Sequence, residues 1–389
     1  MAGMASTVTL ADAQALRDAY LATLRDLVEH ESPTGDKRAV DALGSRLERL
    51  LTERGWSVRR HERDRVGDVL QASRRGGAGP STLLLAHMDT VWPLGTLEVM
   101  PARDDGERFW GPGTVDMKAG IATAVHAVDL LASKGVEPVG DVTLLVTSDE
   151  ETGSHASREL IEELAREHDR VLVLEPSRDD GALKVGRKGV GGYTVTFKGR
   201  SAHAGNDPAG GASALRELAH FLLFVEDLAD EVAGTTVNLT VARGGIASNV
   251  IAEEAVGTVD LRVLKASEAE RVDAAVRSYR PRDVRVSVAV EGGLNRPPLE
   301  QTPANAALFE AAVAAGRELG VEVTGAVVGG GSDGNFTSAL GVPTLDGLGA
   351  VGGGPHARDE HVHVGKTLER VALLAGLDAL RTLDDAAVL

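Results

Sequence analysis

The sequence predicts an α/β protein, a mostly parallel-sheet domain interrupted by a smaller inserted α+β domain. Three observations carry that reading. Short apolar runs alternate with helical periodicity through the first half of the chain. After Gly189 the texture changes to half-exposed strands of alternating polarity. After Pro298 the first texture returns. At 389 residues the chain is also long for one core, which favours two domains. The expected division is residues 1–189 plus 297–389 for the larger domain and 190–296 for the insertion.

In chain order, Leu16, Tyr20, Leu24, Leu27 and Val28 recur at helical spacing, with Thr9 and Asp12 at the start. The N-terminal stretch lacks a basic leader and an uninterrupted apolar core, so it reads as an amphipathic helix and not a signal peptide. A second helix carries Leu43, Leu47 and Leu50. Residues 83–86, 142–146 and 171–174 are expected as buried strands, separated by helices at 119–131 and 160–165. Strands without a polar face belong to a parallel sheet covered on both sides. Within the insertion, strands at 193–197, 237–241, 256–263 and 284–290 enclose helices at 212–228 and 268–276. That β-α-β-β-α-β order is ferredoxin-like, a four-stranded antiparallel sheet with helices on one face. Helices near 304–319 and 368–380 complete the larger domain.

Composition narrows the function. A formal net charge of −17 argues against nucleic acid, whose phosphates need a basic surface. An anionic small substrate stays possible, because a metal site reverses the local sign. The absence of cysteine excludes disulfides, thiolate metal sites and cysteine nucleophiles. No run approaches the length of a membrane span. The expectation is a soluble cytoplasmic protein with no membrane partner.

The chemistry-bearing residues sit where regular structure stops. The first buried strand runs into His87-Met88-Asp89, two side chains on one side of extended backbone. A ligating histidine gives its second ring proton to an acceptor, a role open to Asp89; a solvated strand-end turn is the bland reading. The second strand ends in Ser148-Asp149-Glu150-Glu151. Three adjacent acids repel unless a cation or solvent relieves them. Neighbouring glutamates can divide metal binding from general-base work, although an acidic helix start reads the same way. Glu175 follows the third strand, Asp116 lies between a glycine-rich turn and a helix, and His356 lies in the glycine-rich GGGPHARDEH. Three strand ends and two glycine loops thus bring oxygen and nitrogen donors to one sheet edge, the carboxyl edge where α/β sites form.

The ordered set AHMDTV, GPGTVDMKAG, SDEETGS, LEP, SAHAG and GPHARDEH resembles the zinc aminoacylase and glutamate carboxypeptidase family, which includes acetylornithine deacetylase and succinyl-diaminopimelate desuccinylase. The resemblance spans nearly the whole chain. It implies His87, Asp116, Glu151, Glu175 and His356 as ligands of two divalent metal ions, with Asp116 bridging, Glu150 as general base and Asp89 orienting His87. Two divalent ions outweigh three ligand carboxylates, so a water facing both loses its proton readily. The donor set suits zinc first, and also cobalt or manganese. From the insertion, a lid and dimer interface by resemblance, His203 is expected to stabilise the oxyanion, in many relatives from the partner subunit, with Asn249 assisting. Arg262 and Arg296 are expected to grip a substrate carboxylate through their planar forks; a surface ion pair is the alternative for each. The 329–335 stretch GGGSDGN resembles a loop walling the site. His361 and His363 are expected to be structural, and His126 and His155 helix-surface or packing residues.

The implied function is hydrolysis of an amide next to a free carboxylate in a small peptide or N-acyl amino acid by a homodimer. A carboxypeptidase releasing glutamate ranks first and an N-acyl-amino-acid deacylase second. A non-catalytic metal- or peptide-binding protein and a di-metal phosphoesterase are minor rivals.

Overall fold

The computed structural model describes residues 8–379. The chain forms two compact units: one runs to Gly186 and resumes at Gln301–Val327 and from Ser332 on, and the other comprises Arg187–Glu300 and Val328–Gly331.

The first unit begins with α1 (Leu10–Ala15) and α2 (Arg17–Val28), two helices where one was expected, because the chain caps at Leu16. Thr9 and Asp12 close a reciprocal capping box at the start of α1. α3 (Lys37–Glu53) follows. The main sheet has the order β1-β2-β6-β3-β7-β14, with β1 Ser57–His61, β2 Val69–Arg74, β3 Thr82–His87, β6 Val142–Thr147, β7 Arg170–Val173 and β14 Thr344–Leu345. β6, β3, β7 and β14 run parallel, while β2 pairs antiparallel to β6 and β1 to β2. That antiparallel edge escaped the sequence reading, since Ser57-Val58-Arg59-Arg60-His61 is polar and mostly half-exposed.

Period two along β3 divides its side chains between two layers. Leu84 and Ala86 face a core with Leu24, Leu43, Val125 of α4 (Ala119–Ser133) and Leu373 of α10 (Val364–Ala379). Leu83 and Leu85 face a second core with Ile161 and Leu164 of α5 (Arg158–Glu167) and Phe336 of α9 (Gly334–Ala339). The expected last helix is α10; Leu380 lies outside the described residues, as does 1–7 of the N-terminal stretch. α8 (Pro303–Leu319) starts on a Thr302 cap followed by proline. A small sheet, order β15-β16-β5-β4, joins β4 (Arg103–Asp104) and β5 (Arg108–Trp110) to β15 (Gly352–Gly353) and β16 (His361–His363). A two-stranded pair joins β8 (Leu183–Arg187) to β13 (Gly325–Val328).

The second unit is an antiparallel sheet of order β10-β11-β9-β12, formed by β9 Gly189–Lys198, β10 Thr236–Gly244, β11 Glu254–Val263 and β12 Ser287–Arg296. Tyr193, Val195, Phe197, Val259 and Leu261 pack against Phe221 of α6 (Ala214–Glu226) and Val272 of α7 (Ala266–Ser278). β12 is displaced from the expected 284–290. Val284 is solvent-exposed, and Gly292 and Gly293, beyond the expected end, continue the strand at φ 100° and 149° opposite Tyr193 and Gly192. Only glycine holds that backbone at low cost. Among the described residues, no helix is long and apolar enough to cross a membrane.

Candidate metal centre

Strand register builds the first half of the centre. β3 lies between β6 and β7, with His87 opposite Thr147 and Leu85 opposite Val173. Two residues beyond Val173, Glu175 comes level with His87, and the residues after Thr147 rise beside both. Neighbouring strands stand about 4.8 Å apart, so His87, Glu150, Glu151 and Glu175 must converge above one edge. Potential ligand atoms of His87, Glu150 and Glu175 lie within 4.8 Å of one another, as do those of His87, Asp116 and Glu151.

Two loops build the other half. Asp116 sits in an irregular turn at φ −120°, after Gly111 and Gly113, both in positive-φ conformations. A side chain at Gly113 would strike the Thr90 methyl at 2.4 Å. His356 itself has φ 59° and is half-exposed.

The Asp116 carboxylate divides its oxygens. Oδ1 is 3.2 Å from His87 Nε2, which is also 3.4 Å from Glu175 Oε1. Oδ2 is 3.3 Å from His356 Nε2, which is also 3.3 Å from Glu151 Oε2. Two imidazole–carboxylate clusters therefore share one aspartate. Their separations exceed the roughly 2.7–2.9 Å of a closed charge-assisted hydrogen bond, so the groups face a common point more than each other. Glu151 Oε1 is buried and makes no hydrogen bond. Converging nitrogen and oxygen donors with a buried spare oxygen fit a divalent cation.

The electrostatics agree. Burial opposes charge on Asp116, yet the His356 and His87 rings hold its carboxyl far below the ordinary range. Asp116 and Glu151 push the His356 ring up to about 10. Burial works against protonation of His87, but Asp116, Asp89 and Glu175 overcome it and raise the ring well above its usual value. Burial raises Glu151. Without a cation this cage retains protons that a metal must displace.

The three consecutive acids separate by direction. Asp149 turns into the fold, accepting from Ala156 N at 2.7 Å and from the Ser157 hydroxyl, while Glu150 and Glu151 turn to the centre. Fully buried Asp89 organises them: Oδ1 accepts from Glu150 N at 3.2 Å, and Oδ2 accepts from Glu151 N at 3.2 Å and the Thr34 hydroxyl at 2.8 Å. Its carboxylate is 3.5 Å from His87 Nδ1, whose shorter contact, 3.0 Å, is to the Asp89 main-chain oxygen. In the 329–335 loop, Asp333 accepts from Thr147 Oγ1 at 3.1 Å and from the Ser154 hydroxyl.

The four remaining predicted residues belong to the second unit. His203 Nδ1 accepts from Gly205 N at 3.1 Å and Asn206 N at 3.0 Å. A neutral ring accepting at Nδ1 carries its proton on Nε2 and is a donor there. Asn249 adjoins it, its main-chain oxygen accepting from Ala204 N at 2.8 Å. Arg262 and Arg296 both register with Val190, on opposite sides of β9. Arg262 is clamped on Asp260, with Nη2 to Oδ2 at 2.9 Å, the ion pair weighed above. Arg296 is buried, and its Cδ closes on Gly331. Of the other histidines, His361 stacks on Trp110 with ring centroids 4.6 Å apart. His126 is buried against Thr23, 3.0 Å away, so it is a packing residue.

The sequence reading passed over Thr34, Trp92 and Glu360. Only Glu360 had a visible signal, an acid four residues after His356 in GGGPHARDEH.

Comparison with known proteins places this geometry in context. Residues 83–377 match the model of peptidase family M20/M25/M40. Carboxypeptidase G2 of Pseudomonas sp. (strain RS-16) is 34% identical over 374 residues, covering 92% of this chain and 88% of the relative. Succinyl-diaminopimelate desuccinylase of Alkalilimnicola ehrlichii is 29% identical over 364 residues, covering 86% and 94%. Among solved structures, an aminopeptidase from Bacillus cereus superposes with a TM-score of 0.80 at 20% identity, covering 93% of this chain and 98% of that one. An M20 family metallo-carboxypeptidase from Sulfolobus solfataricus gives 0.73 at 17%, with 93% and 98% covered. At those identities the structures establish the fold alone, and it is the α/β fold with a separate antiparallel sheet that the sequence predicted.

Proposed function

The chain belongs to peptidase family M20/M25/M40 and is a hydrolase, and from that premise we propose a metal-dependent carboxypeptidase that releases a C-terminal amino acid, glutamate by preference. The observation that carries the reading is the division of Asp116 between two imidazole–carboxylate clusters. His87 and Glu175 would hold one divalent ion, His356 and Glu151 the other, and Asp116 both. Zinc ranks first, with cobalt and manganese compatible.

When bound, the ions supply Lewis-acid polarisation of the scissile carbonyl and a more acidic water. The rest is done by side chains. Asp89 fixes the main chain of Glu150 through its amide. Glu150 takes the proton of the attacking water at its carboxylate and delivers it to the leaving amide nitrogen. His203, donating from Nε2, and Asn249 stabilise the developing oxyanion. Arg262 and Arg296 grip the free carboxylate of the substrate, Arg262 exchanging Asp260 for it. The working form in this proposal is a cytoplasmic homodimer, with the second unit as lid and dimer interface.

The desuccinylase likeness favours one second reading, an N-acyl-amino-acid deacylase using the same centre. The test is amino-acid release from N-acyl glutamates, glutamyl-terminated dipeptides, N-acetylornithine and N-succinyl-diaminopimelate, with and without chelator. Chelator-sensitive release of glutamate supports the carboxypeptidase; preference for an acylated diamino acid supports the deacylase. Glu150→Gln should keep its metal and lose at least about a hundredfold in turnover; wild-type turnover in that variant would refute its role.

A further inference from the structure

Glu360 is completely buried, and both its oxygens accept from one neighbouring segment. Oε1 accepts from Val115 N at 2.9 Å and Asp116 N at 3.2 Å. Oε2 accepts from Gly113 N at 2.9 Å and from the Trp92 indole at 2.8 Å. Three main-chain donors along the Asp116 turn thus end on one carboxylate, and Asp116 N is among them. Glu360 also stands four residues after His356 and immediately before β16, whose pairing with β5 sets Val362 opposite Phe109. Gly111 N closes the same junction by donating to the Glu360 main-chain oxygen at 3.3 Å. One residue therefore ties the turn that carries Asp116 to the loop that carries His356.

That position matters because Asp116 must face two ways. Its oxygens serve His87 and His356 together only while its main chain is held against rotation. A buried carboxyl group accepting four N–H groups supplies that restraint, since three of the four bonds fix main-chain N–H groups of the turn itself. We propose that Glu360 is a positioning residue of the metal centre, setting the orientation in which the Asp116 carboxylate is shared between two ions. The inference rests on the reading of the cage as a dinuclear site.

The experiment is zinc titration of the metal-free full-length protein, followed by the visible absorption of the cobalt-loaded form. Wild type should take up two equivalents. Glu360→Gln keeps the shape but turns an amide NH2 toward two N–H donors, and it should lose about 10- to 100-fold in zinc affinity, the usual cost of disturbing a ligand's support. Its cobalt spectrum should shift as the ligand field changes. Glu360→Asp, too short to reach all four donors, should fall between the two and carries the test if Glu360→Gln does not fold. A variant that melts earlier but keeps wild-type zinc affinity and an unchanged cobalt spectrum would reduce Glu360 to a structural role and overturn the proposal. Failure of the wild type itself to bind zinc, cobalt or manganese would instead overturn the cage reading, and this inference with it.

Discussion

Replacing Asp89 by asparagine tests the centre at the point where its parts are held together. Asp89 is fully buried and its two oxygens accept from Glu150 N, Glu151 N and the Thr34 hydroxyl. Burial favours the neutral acid, but the His87 ring, the Thr34 hydroxyl and the Glu151 amide hold the carboxyl below the ordinary range, so it is charged at neutral pH. Asparagine has nearly the same volume, so no cavity forms, but it offers one acceptor oxygen instead of two. Its NH2 must face one of the two glutamate amides and leave that N–H unpaired. A lost hydrogen bond to a charged group is worth about 1.5–3 kcal/mol, and a buried orphan donor costs a similar amount. The two figures describe overlapping events, and the long 3.2 Å bonds argue for the lower half, so about 2–3 kcal/mol is expected. At 1.36 kcal/mol per decade that is a fall of about 30- to 150-fold in kcat/KM, measured on the glutamyl substrate at saturating zinc. The His87 Nδ1 contact to the Asp89 main-chain oxygen survives the substitution, so the defect acts through the Glu150–Glu151 segment and through loss of the carboxylate charge 3.5 Å from the His87 ring. A variant within threefold of wild type, with unchanged zinc affinity, would refute this account.

Two further outcomes follow from the same geometry. Alanine at Gly349 would put its Cβ 1.9 Å from the Leu174 oxygen, while Gly349 N donates to the Glu175 oxygen at 3.0 Å. The strand end bearing Glu175 must therefore shift, costing about 2–3 kcal/mol of stability and loosening metal; a urea midpoint equal to wild type would contradict it. Burial lowers His126 to about 4, whereas the unfolded ring titrates near 6.5. The unfolded chain thus binds the proton first as pH falls, so this contribution is flat above about pH 7 and declines from pH 6.5 to 4. The loss approaches about 3 kcal/mol. Urea unfolding at pH 7 and 4.5 should show it in wild type and much less of it in His126→Gln; equal slopes in the two proteins would rule it out.

What the sequence disclosed and what it withheld divide along a physical line. Apolar runs without a polar face, such as Leu83-Leu84-Leu85-Ala86, announce a doubly covered strand, because burial on both sides must be written into every residue. The edge strand β1 needs no such signal, since one side of it meets solvent, and Arg59 and Arg60 disguise it. β12 was misplaced for a different reason. Gly292 is required by a close approach to Gly192, whose oxygen would lie 2.3 Å from a Cβ there, and glycine in a sequence reports a turn and a tight crossing alike.

The metal centre shows the same limit more sharply. Residue type and strand-end position were enough to nominate His87, the acidic run Asp149–Glu151 and Glu175, because a parallel sheet delivers its carboxyl ends to one edge whatever the details; the choice of Glu151 over Glu150 as ligand came from the family resemblance. Asp89 was nominated for His87, and its carboxylate lies 3.5 Å from that ring, but its bonds to the amides of Glu150 and Glu151 are encoded by no side-chain pattern. Glu360 lies 244 residues from Asp116 in the chain, and its partners are backbone N–H groups that every non-proline residue possesses. A carboxylate that grips main chain leaves no complementary residue to find. What betrays it is burial: an acid that makes no ion pair within 4 Å among the described residues finds its donors in the Trp92 indole and, for the other three, in the backbone. Here those donors are the turn that carries Asp116, so the residue that best explains the shared aspartate is one whose purpose appears only once the two loops are folded together.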